Sequence, residues 1–524
     1  MTNTLSVGID LGTIYSECFF FNVSTGNTQP IVFDNGNQFI LSSVFFGQTP
    51  VLVGGDNTLA VYEAKRLLGV KFTDSSVQKM IETMPNVEQD ASTGLCVFKI
   101  VYNGKTITLK PEEISAMVLT QIKKSIIKRT GCDLSKCRLN VVLTCPAYFN
   151  DLQRDLTMRA AQIAGLDVTL TAEPKAAAYF YGVKKMKDGL FFAFDFGGGT
   201  LDTTVFEKKG KNIKFIGVYG NQHLGGLDID NKFVEYIISK WKAEFPTEMA
   251  NLFIEQKNET ISRKNMKRRR RRVLKQIVEK AKISLSTLNC VTVEYEEYSI
   301  AVTRKDFEMC CSDIFNECMK TVKDTLNLEK VQANPRQISK VILVGGSSQI
   351  PKIRNMLTDY FGEGKVCCSE NCYTVVAEGA CQYAYDEVSS GIKIAINEVT
   401  TRDIKMMAVD GNGTEFWPVV VERGTPLPLE EYSFPAIAET SSVRVELKED
   451  ETFLGCFDTQ VPLMRNEVVT IKIGIDNNGK IQLNLINKAG VSDAKSVLAN
   501  VSREKNIPQN ILMEEQKKIA SFFN

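Results

Sequence analysis

The hydrophobic positions of this chain follow two different periods, and the change falls near residue 390. Before that point, short apolar runs such as 139–144 alternate with segments such as 111–124, whose apolar residues recur every three or four positions. Buried strands and amphipathic helices produce these two patterns. Their alternation is typical of an α/β fold.

From residue 400 onward, apolar and polar residues alternate with period two. The runs 469–475 and 481–485 flank the turn sequence DNNG at 476–479, which predicts a hairpin with one apolar face. A second turn sequence, DGNG, stands at 410–413, and a short segment with isoleucines at 392, 394 and 396 separates the two patterns. We therefore predict an α/β domain over 1–387, a linker over 388–398, an all-β domain over 399–505 and a short helical segment over 506–524.

The stretch 192–205, FAFDFGGGTLDTTV, carries the first candidate chemistry. An apolar run ends at Asp195, a glycine turn follows, and a second β-rich run begins near Asp202. The turn consists of Gly197, Gly198, Gly199 and Thr200. Several backbone N–H groups of such a turn can converge on one phosphate, and the flanking carboxylates could hold a metal ion directly or through its water shell. The stretch predicts a hairpin that binds nucleotide phosphates.

A second copy of this pattern lies at the start of the chain. Residues 5–21 contain an apolar strand, then Asp10, Gly12 and Thr13, and then another strand. Two such hairpins indicate a duplicated fold that closes on one nucleotide from both sides. Further glycine turns stand at 225–226 and 345–346, and the pair at 225–226 precedes a predicted helix, so it could also face a phosphate.

Composition limits the class of protein. The 524 residues include 63 basic and 62 acidic ones, so net charge predicts neither specific DNA nor a membrane as a partner. No apolar run reaches the ~20 residues needed to cross a bilayer, and Met1 leads into a strand rather than a signal peptide. The 14 cysteines lack the spacing of a disulfide scaffold, which favours a reducing compartment. These features predict a cytoplasmic protein.

The run 267–272, KRRRRR, is a strong local concentration of charge. Such a run suggests contact with RNA, contact with the ribosome or nuclear import. No aromatic residues accompany it as a stacking platform, so we favour a solvated helix face.

With these features in place, the sequence resembles the 70-kDa heat-shock chaperone family over nearly its whole length. The resemblance rests on GIDLGT (8–13), AKRLLG (64–69), VVLTCPAYFND (141–151), EPKAAA (173–178), FDFGGGTLD (194–202), HLGGLD (223–228), EKAKISLS (279–286) and VGGSSQIPKI (344–353). It implies an actin-like ATPase domain of two duplicated, ribonuclease-H-like lobes, then a linker, a β-sandwich that grips extended peptide, and a helical lid. The implied cofactors are ATP or ADP with Mg²⁺.

The resemblance also implies a role for individual positions. The catalytic positions would be Asp10, Lys65, Glu173, Asp195 and Thr200; Lys65 would reach the γ-phosphate, while Asp10 and Asp195 would hold Mg²⁺ through water. The positions that would bind the nucleotide are Gly12, Thr13, Ile14, Tyr15, Gly197, Gly198, Gly199, Asp202, Gly225, Gly226, Glu279, Lys282, Ser286, Gly345, Gly346, Ser347 and Gln349.

Several positions depart from the family pattern. Ile14 replaces a threonine of the phosphate loop, and Ile283 and Gln349 replace two arginines that stack on adenine. Loss of two cation–π-like contacts of about 1 kcal/mol each predicts weaker adenine binding. Leu227 and Tyr373 replace two acidic residues, and the linker differs in charge. The chain also ends where the first lid helix would begin, so we expect a divergent, C-terminally truncated member without a full lid.

Three functions are compatible with these observations. The first is an ATP-binding chaperone that hydrolyses ATP slowly and binds unfolded or nascent polypeptide, with a J-domain co-chaperone and a nucleotide exchange factor as expected partners. The second is a weakly hydrolysing or non-hydrolysing co-chaperone that sits with a J-domain protein at the ribosome, and the basic run would suit that surface. The third is a small-molecule kinase on the same actin-like fold, which the all-β domain disfavours.

Overall fold

The structure of this chain is a computed structural model. It describes residues 3–55, 60–81, 84, 86–181, 187–210, 212–221, 223–256, 258–367, 372–389, 396–397, 400, 402–409, 414–423, 425–438, 444–449, 452–458, 463–475, 481–496 and 509–523. The predicted linker positions Ile392 and Ile394 and the predicted turns at 410–413 and 476–479 lie outside the described residues.

The described residues between 3 and 180 form one six-stranded mixed sheet, two smaller antiparallel sheets of two and three strands, and the helices packed against them. The strands are β1 (Asn3–Asp10), β2 (Tyr15–Asn22), β3 (Asn27–Pro30), β4 (Phe39–Leu41), β5 (Val44–Phe45), β6 (Leu52–Val53), β7 (Val87–Gln89), β8 (Cys96–Tyr102), β9 (Lys105–Leu109), β10 (Cys137–Cys145) and β11 (Val168–Ala172). The helices are α1 (Ser75–Ile81), α2 (Pro111–Thr130), α3 (Asp151–Ile163) and α4 (Glu173–Phe180), with a 3₁₀ turn at Ala64–Leu67. The main sheet, here called the first sheet, has the order β11-β10-β1-β2-β3, with β4 paired to β2.

Residues 189–389 form the second sheet and its helices. The strands are β12 (Gly189–Phe196), β13 (Leu201–Lys209), β14 (Asn212–Asn221), β15 (Cys290–Tyr295), β16 (Tyr298–Thr303), β17 (Ile338–Val344) and β18 (Val366–Cys367). The helices are α5 (Gly226–Glu244), α6 (Pro246–Leu252), α7 (Ile261–Ser284), α8 (Arg304–Cys310), α9 (Ser312–Leu326), α10 (Pro351–Phe361) and α11 (Val375–Ser389), with 3₁₀ turns at Pro335–Gln337 and Gly346–Gln349. The sheet order is β18-β17-β12-β13-β14, and β19 (Ile396–Asn397) adds to the β14 edge in parallel.

The two sheets repeat one arrangement. In each sheet, the first strand begins an antiparallel meander of three strands. The other edge of that first strand pairs in parallel with a later strand, which is β10 in the first sheet and β17 in the second. The strand order of the two sheets is therefore repeated, as the two copies of the strand–glycine–strand unit predicted. Separate apolar cores lie around Ile9 and Leu143 in the first sheet and around Phe194 and Phe233 in the second region.

The described residues between 404 and 496 form two four-stranded antiparallel sheets and one separate pair of short strands. The strands are β20 (Ile404–Met406), β21 (Ala408–Val409), β22 (Glu415–Phe416), β23 (Val419–Val421), β24 (Leu429–Ala438), β25 (Arg444–Glu449), β26 (Thr452–Asp458), β27 (Glu467–Ile475), β28 (Ile481–Ile486) and β29 (Ser492–Ser496). The sheet orders are β23-β20-β25-β26 and β24-β27-β28-β29. Both sheets contribute to one core, for example through Leu447 and Ile473. The predicted hairpin is confirmed, because β27 pairs with β28 and its alternate residues are buried.

The last helix, α12 (Gln509–Ser521), packs on the first-sheet region. It contacts α2 and α3, and Ile519 and Phe522 are buried in the core of the first sheet. The backbone N–H of Val51 donates to the carbonyl of Phe522 at 2.9 Å. Ion pairs join Lys518 to Glu113 and Glu515 to Arg159, each at 2.5 Å.

The basic run lies on α7, and its interpretation as a solvated face is wrong for Lys267. That side chain is buried, and its Nζ donates to the carbonyls of Ala250 and Ile254 at 2.7 Å and to Glu259. Burial of an ammonium is tolerated because three oxygens replace its hydration. Arg268 pairs with Glu255 at 2.7 Å, so a second positive charge of the basic run is also neutralised within the chain.

Candidate functional site

A cavity of about 290 Å³ lies where the two glycine hairpins meet. The predicted site residues that line it are Asp10, Gly12, Thr13, Ile14, Tyr15, Lys65, Glu173, Asp195, Gly197, Gly198, Gly199, Thr200, Gly226, Glu279, Lys282, Ser286, Gly345, Gly346, Ser347 and Gln349. Two predicted residues, Asp202 and Gly225, lie outside this lining. Residues from both halves of the chain therefore converge on one cavity.

The two hairpins touch each other at their glycines. A Cβ added to Gly198 would lie 2.4 Å from the Ile14 side chain, and one added to Gly199 would lie 2.8 Å from the Thr13 hydroxyl. The second turn closes by a 3.0 Å hydrogen bond from the Gly197 N–H to the Thr200 carbonyl. Glycine is needed here because any side chain would separate the hairpins.

The turn at 225–226 is hydrogen-bonded to the second hairpin. The Gly226 N–H donates to the Gly197 carbonyl at 3.0 Å, and the Gly225 N–H donates to Asp228 at 2.9 Å. Both amides are already bonded within the protein. This turn consequently positions the hairpin, and a phosphate would have to take its N–H donors from other residues.

One lysine and three carboxylates form the polar end of the cavity. Lys65 lies on the 3₁₀ turn, and its Nζ donates to Glu173, the first residue of α4, at 2.8 Å. Asp10 ends β1 and accepts a 2.9 Å hydrogen bond from the Thr144 hydroxyl on the neighbouring β10. Asp195 lies near the end of β12, the strand that corresponds to β1 in the second sheet.

These groups alter one another's protonation. Burial raises the pKa of Asp10 to about 6, and the nearby Glu173 carboxylate adds to the rise. Burial also raises the pKa of Asp195 well above its ordinary value, with contributions from Glu173 and Asp10. Burial alone would lower the pKa of Lys65, but Glu173 and Asp10 raise it above the usual range. The Lys65 ammonium is therefore held in its charged form. Too little positive charge lies near Asp10 and Asp195 to offset the cost of burying their ionised carboxylates.

Buried carboxylate oxygens without hydrogen-bond partners mark the same region. Both oxygens of Asp202 and Oε2 of Glu17 are in this state, although buried polar groups are normally paired. Across the described ranges, no group of three or more His, Cys, Asp or Glu side chains is arranged to hold a metal. Mg²⁺ commonly uses one or two carboxylates together with water and phosphate oxygens. The residues present therefore fit Mg²⁺ held partly through water.

Glu17 is a site residue that the sequence analysis missed. It lines the cavity and is 6% exposed. In the antiparallel pairing of β1 with β2 it stands opposite Asp10, and residues directly opposite project from the same face of a sheet. Burial raises its pKa to about 9, and the Asp10 carboxylate adds to the rise. A count of residues from Asp10 through the turn would have suggested this register.

The opposite end of the cavity is less charged. Lys282 pairs with Asp230 at 2.7 Å, and the Tyr15 hydroxyl lies 3.5 Å from Glu279. Gly345 has φ +77° and packs against the Phe196 carbonyl, and a Cβ added to Gly346 would lie 2.4 Å from the Tyr373 ring. This close approach requires glycine at both positions.

Three of the predicted substitutions, Ile283, Gln349 and Tyr373, are also at this end. Ile283 is 52% exposed, and Tyr373 is 47% exposed; both line the cavity together with Gln349. The Nε2 of Gln349 is buried without a hydrogen-bond partner. An aliphatic side chain, an aromatic ring and an unpaired amide thus replace the charged surroundings that the resemblance implied.

Comparison with known proteins defines the class to which this fold and site belong. The chain matches the family model described as Hsp70 protein over residues 6–520, and it belongs to that chaperone family. It is 30% identical to a heat shock cognate HSP70 protein of Trypanosoma brucei brucei, over 99% of this chain and 79% of the relative. It is 31% identical to a ribosome-associated molecular chaperone of Saccharomyces cerevisiae, over 94% of this chain and 82% of the relative. No helix of the described segments is long and apolar enough to cross a membrane.

Proposed function

We propose that this chain is an ATP-binding chaperone of the Hsp70 type that hydrolyses ATP slowly and binds unfolded polypeptide. The observation that carries the proposal is the cavity at which two glycine hairpins, Lys65 and the carboxylates of Asp10, Glu173 and Asp195 meet. Glycine turns suit phosphates, and a buried lysine suits the charge that develops on a phosphoryl group during its transfer.

The proposed architecture places an actin-like, two-lobed ATPase domain over 1–387, followed by a linker over 388–398. A β-sandwich over 399–505 would bind peptide, and a helical segment over 506–524 would follow. The recurrence of one strand order in the two sheets supports two duplicated lobes. The core shared by two four-stranded sheets supports the sandwich.

In the proposed mechanism, the protein holds the nucleotide and the attacking water in one geometry. Asp10 and Asp195 would hold Mg²⁺ through water, and the ion would neutralise phosphate charge when bound. Glu173 orients Lys65 through their 2.8 Å ion pair. Lys65 would then stabilise the developing negative charge and position the water, while the second hairpin, held by Gly225 and Gly226, keeps the phosphates in register.

A ribosome-associated co-chaperone with weak or absent hydrolysis is the second candidate. The Saccharomyces cerevisiae relative is described as ribosome-associated, and the changed end of the cavity around Ile283 and Gln349 supports reduced nucleotide affinity. The proposed partners are a J-domain protein, a nucleotide exchange factor and nascent chains in the cytoplasm. Membership of the Hsp70 family removes the support for a small-molecule kinase.

A single-turnover assay tests the two candidates. Excess protein is mixed with labelled ATP and Mg²⁺, and retained nucleotide and released phosphate are followed together. Retention with slow phosphate release supports the chaperone ATPase. Retention without release, together with co-sedimentation with ribosomes that weakens as salt rises, supports the co-chaperone. Failure to retain any nucleotide contradicts the use of this cavity as a nucleotide site.

A further inference from the structure

Two adjacent cysteines, Cys310 and Cys311, bring their sulfur atoms together where α8 meets α9. Their Sγ atoms lie 3.6 Å apart and share a hydrogen bond. Cys310 is partly exposed, and Cys311 is buried. Neither residue lines the cavity between the glycine hairpins, so the proposed function does not use them. The pair is therefore a second cluster of nucleophilic groups in this protein.

The surroundings of the pair make the two thiols unequal. The hydrogen bond with Cys311 lowers the pKa of the Cys310 thiol, and the nearby Lys232 ammonium on α5 lowers it further. Partial burial and the carboxylates of Asp306 and Asp313 oppose this shift without reversing it. The same hydrogen bond and burial raise the pKa of the Cys311 thiol. Because the thiolate is the reactive form of cysteine, Cys310 is the nucleophile of the pair.

Contacts with the backbone hold each sulfur atom in position. Cys310 Sγ lies 3.2 Å from the Phe307 carbonyl, and Cys311 Sγ lies 3.9 Å from the Ile229 carbonyl on α5. Helix α8 ends at Cys310, and α9 begins at Ser312. A bond between neighbouring cysteines requires a local change of the backbone. That change would fall at the junction of two helices rather than inside one of them.

A disulfide between these two neighbours would be readily reduced. Consecutive Cα atoms are about 3.8 Å apart, whereas disulfides usually join Cα atoms that are about 4.4–6.8 Å apart. Strain of this kind raises the reduction potential of a disulfide, and strained disulfides are the labile ones. Oxidation of the pair would therefore be reversible.

We propose that Cys310 and Cys311 form a redox-sensitive dithiol that reacts with low-molecular-weight disulfides and closes into a reversible disulfide. The Cys310 thiolate attacks one sulfur of the small disulfide, whose S–S bond breaks, and the other half leaves as a thiolate. Cys311 then loses its proton to water and attacks Cys310 Sγ, which releases the second half. The protein loses two electrons and two protons, and the small disulfide is reduced to two thiols.

Oxidised glutathione is the probe, and mass spectrometry of the full-length protein is the readout. The reduced protein is incubated with the probe, quenched with acid and digested without reductant. In the wild type, the segment 306–320 should lose two hydrogens and retain no glutathione. Cys311→Ala should retain one glutathione on Cys310, because no second thiol displaces it. Cys310→Ala should leave Cys311 unmodified, because Cys311 is buried.

Two other cysteines provide the controls. Cys290 is exposed and has no cysteine beside it in the sequence, so it should retain glutathione in every variant. Cys318 is buried in the same segment, and Cys318→Ala should still lose two hydrogens there. Stable glutathione on Cys310 in the wild type overturns the inference. Unmodified Cys310 and Cys311 under conditions that modify Cys290 overturn it as well, as does loss of two hydrogens in Cys311→Ala, which would assign the bond to Cys318.

Discussion

The Nζ of Lys65 lies 2.8 Å from Oε1 of Glu173, and only 8% and 10% of the two side chains are exposed. The two residues are separated by 108 positions in the sequence. The pair joins the 3₁₀ turn to the start of α4 directly at the cavity. Its burial means that each residue affects both stability and the proposed chemistry.

The first prediction separates these two effects. Lys65→Met should lower the free energy of unfolding by about 3 kcal/mol, because it leaves Glu173 buried without its partner. It should also slow phosphate release about 100-fold or more. The double variant Lys65→Met/Glu173→Gln should recover most of the stability but none of the rate. Urea unfolding and single-turnover kinetics measure the two quantities. Recovery of hydrolysis in the double variant would contradict a catalytic role for Lys65.

The second prediction concerns Asp195. Asp195→Asn should abolish phosphate release, because it removes a carboxylate proposed to hold Mg²⁺ through water. Stability should not fall, since burial already raises the pKa of this carboxyl and disfavours its charge. Phosphate release and urea unfolding of the purified variant give both results. Wild-type turnover in this variant would exclude Asp195 from the mechanism.

The third prediction concerns the docked C-terminal helix. Phe522 is 5% exposed and lies against Phe46 and Tyr102, with ring centroids 5.8 and 5.1 Å away. Phe522→Ala should remove about 3 kcal/mol of packing from this contact. The amide of Val51, which donates to the Phe522 carbonyl, should then exchange its hydrogen at least ten times faster.

The matched control for that experiment is Met513→Ala on the same helix. Met513 is 49% exposed, so its truncation should leave exchange at Val51 nearly unchanged. Hydrogen exchange read by mass spectrometry on peptides containing Val51 distinguishes the two variants. Equal exchange in Phe522→Ala and the wild type would show that α12 does not hold this segment.

The fourth prediction is a pH dependence caused by Glu17. Burial raises its pKa from 4.5 to about 9, so between these values the folded state binds more protons than the unfolded state. Stability must therefore fall as pH rises through this window. Glu17→Gln removes the effect, and without cations or nucleotide it should be more stable than the wild type by on the order of 2–4 kcal/mol at pH 7.5.

Urea unfolding in the presence of a chelator measures this difference. The gap between Glu17→Gln and the wild type should widen as pH rises from 5 to 8. Glu113→Gln should instead lose stability at both values, because it removes the ion pair with Lys518. A Glu17→Gln variant that is less stable than the wild type at pH 8 would contradict the burial of an unpaired carboxylate.

Local sequence was sufficient to predict many residues of the candidate site. The glycine turn at 197–199 and the carboxylates that flank it were predictable, because turn geometry and strand alternation act between neighbouring residues. The repeat of that unit around Asp10 was predictable for the same reason. The position of Glu17 opposite Asp10 was missed, because strand alternation does not give the register between β1 and β2, which requires a count of residues through the turn as well.

Local sequence was enough to predict the two strand–glycine–strand units, the further glycine turns, the hairpin of β27 and β28, and the family. Tertiary structure alone decided which charges are paired and where elements dock. It buried the Lys267 ammonium among three hydrogen-bond acceptors instead of leaving it in solvent, and it placed Phe522 in the core of the first sheet. The physical reason is that periodicity and turn chemistry act between neighbouring residues, whereas burial, charge pairing and docking depend on residues that only the fold brings together. The partners of Lys267 come from a separate helix and loop, and those of Phe522 come from the start of the chain.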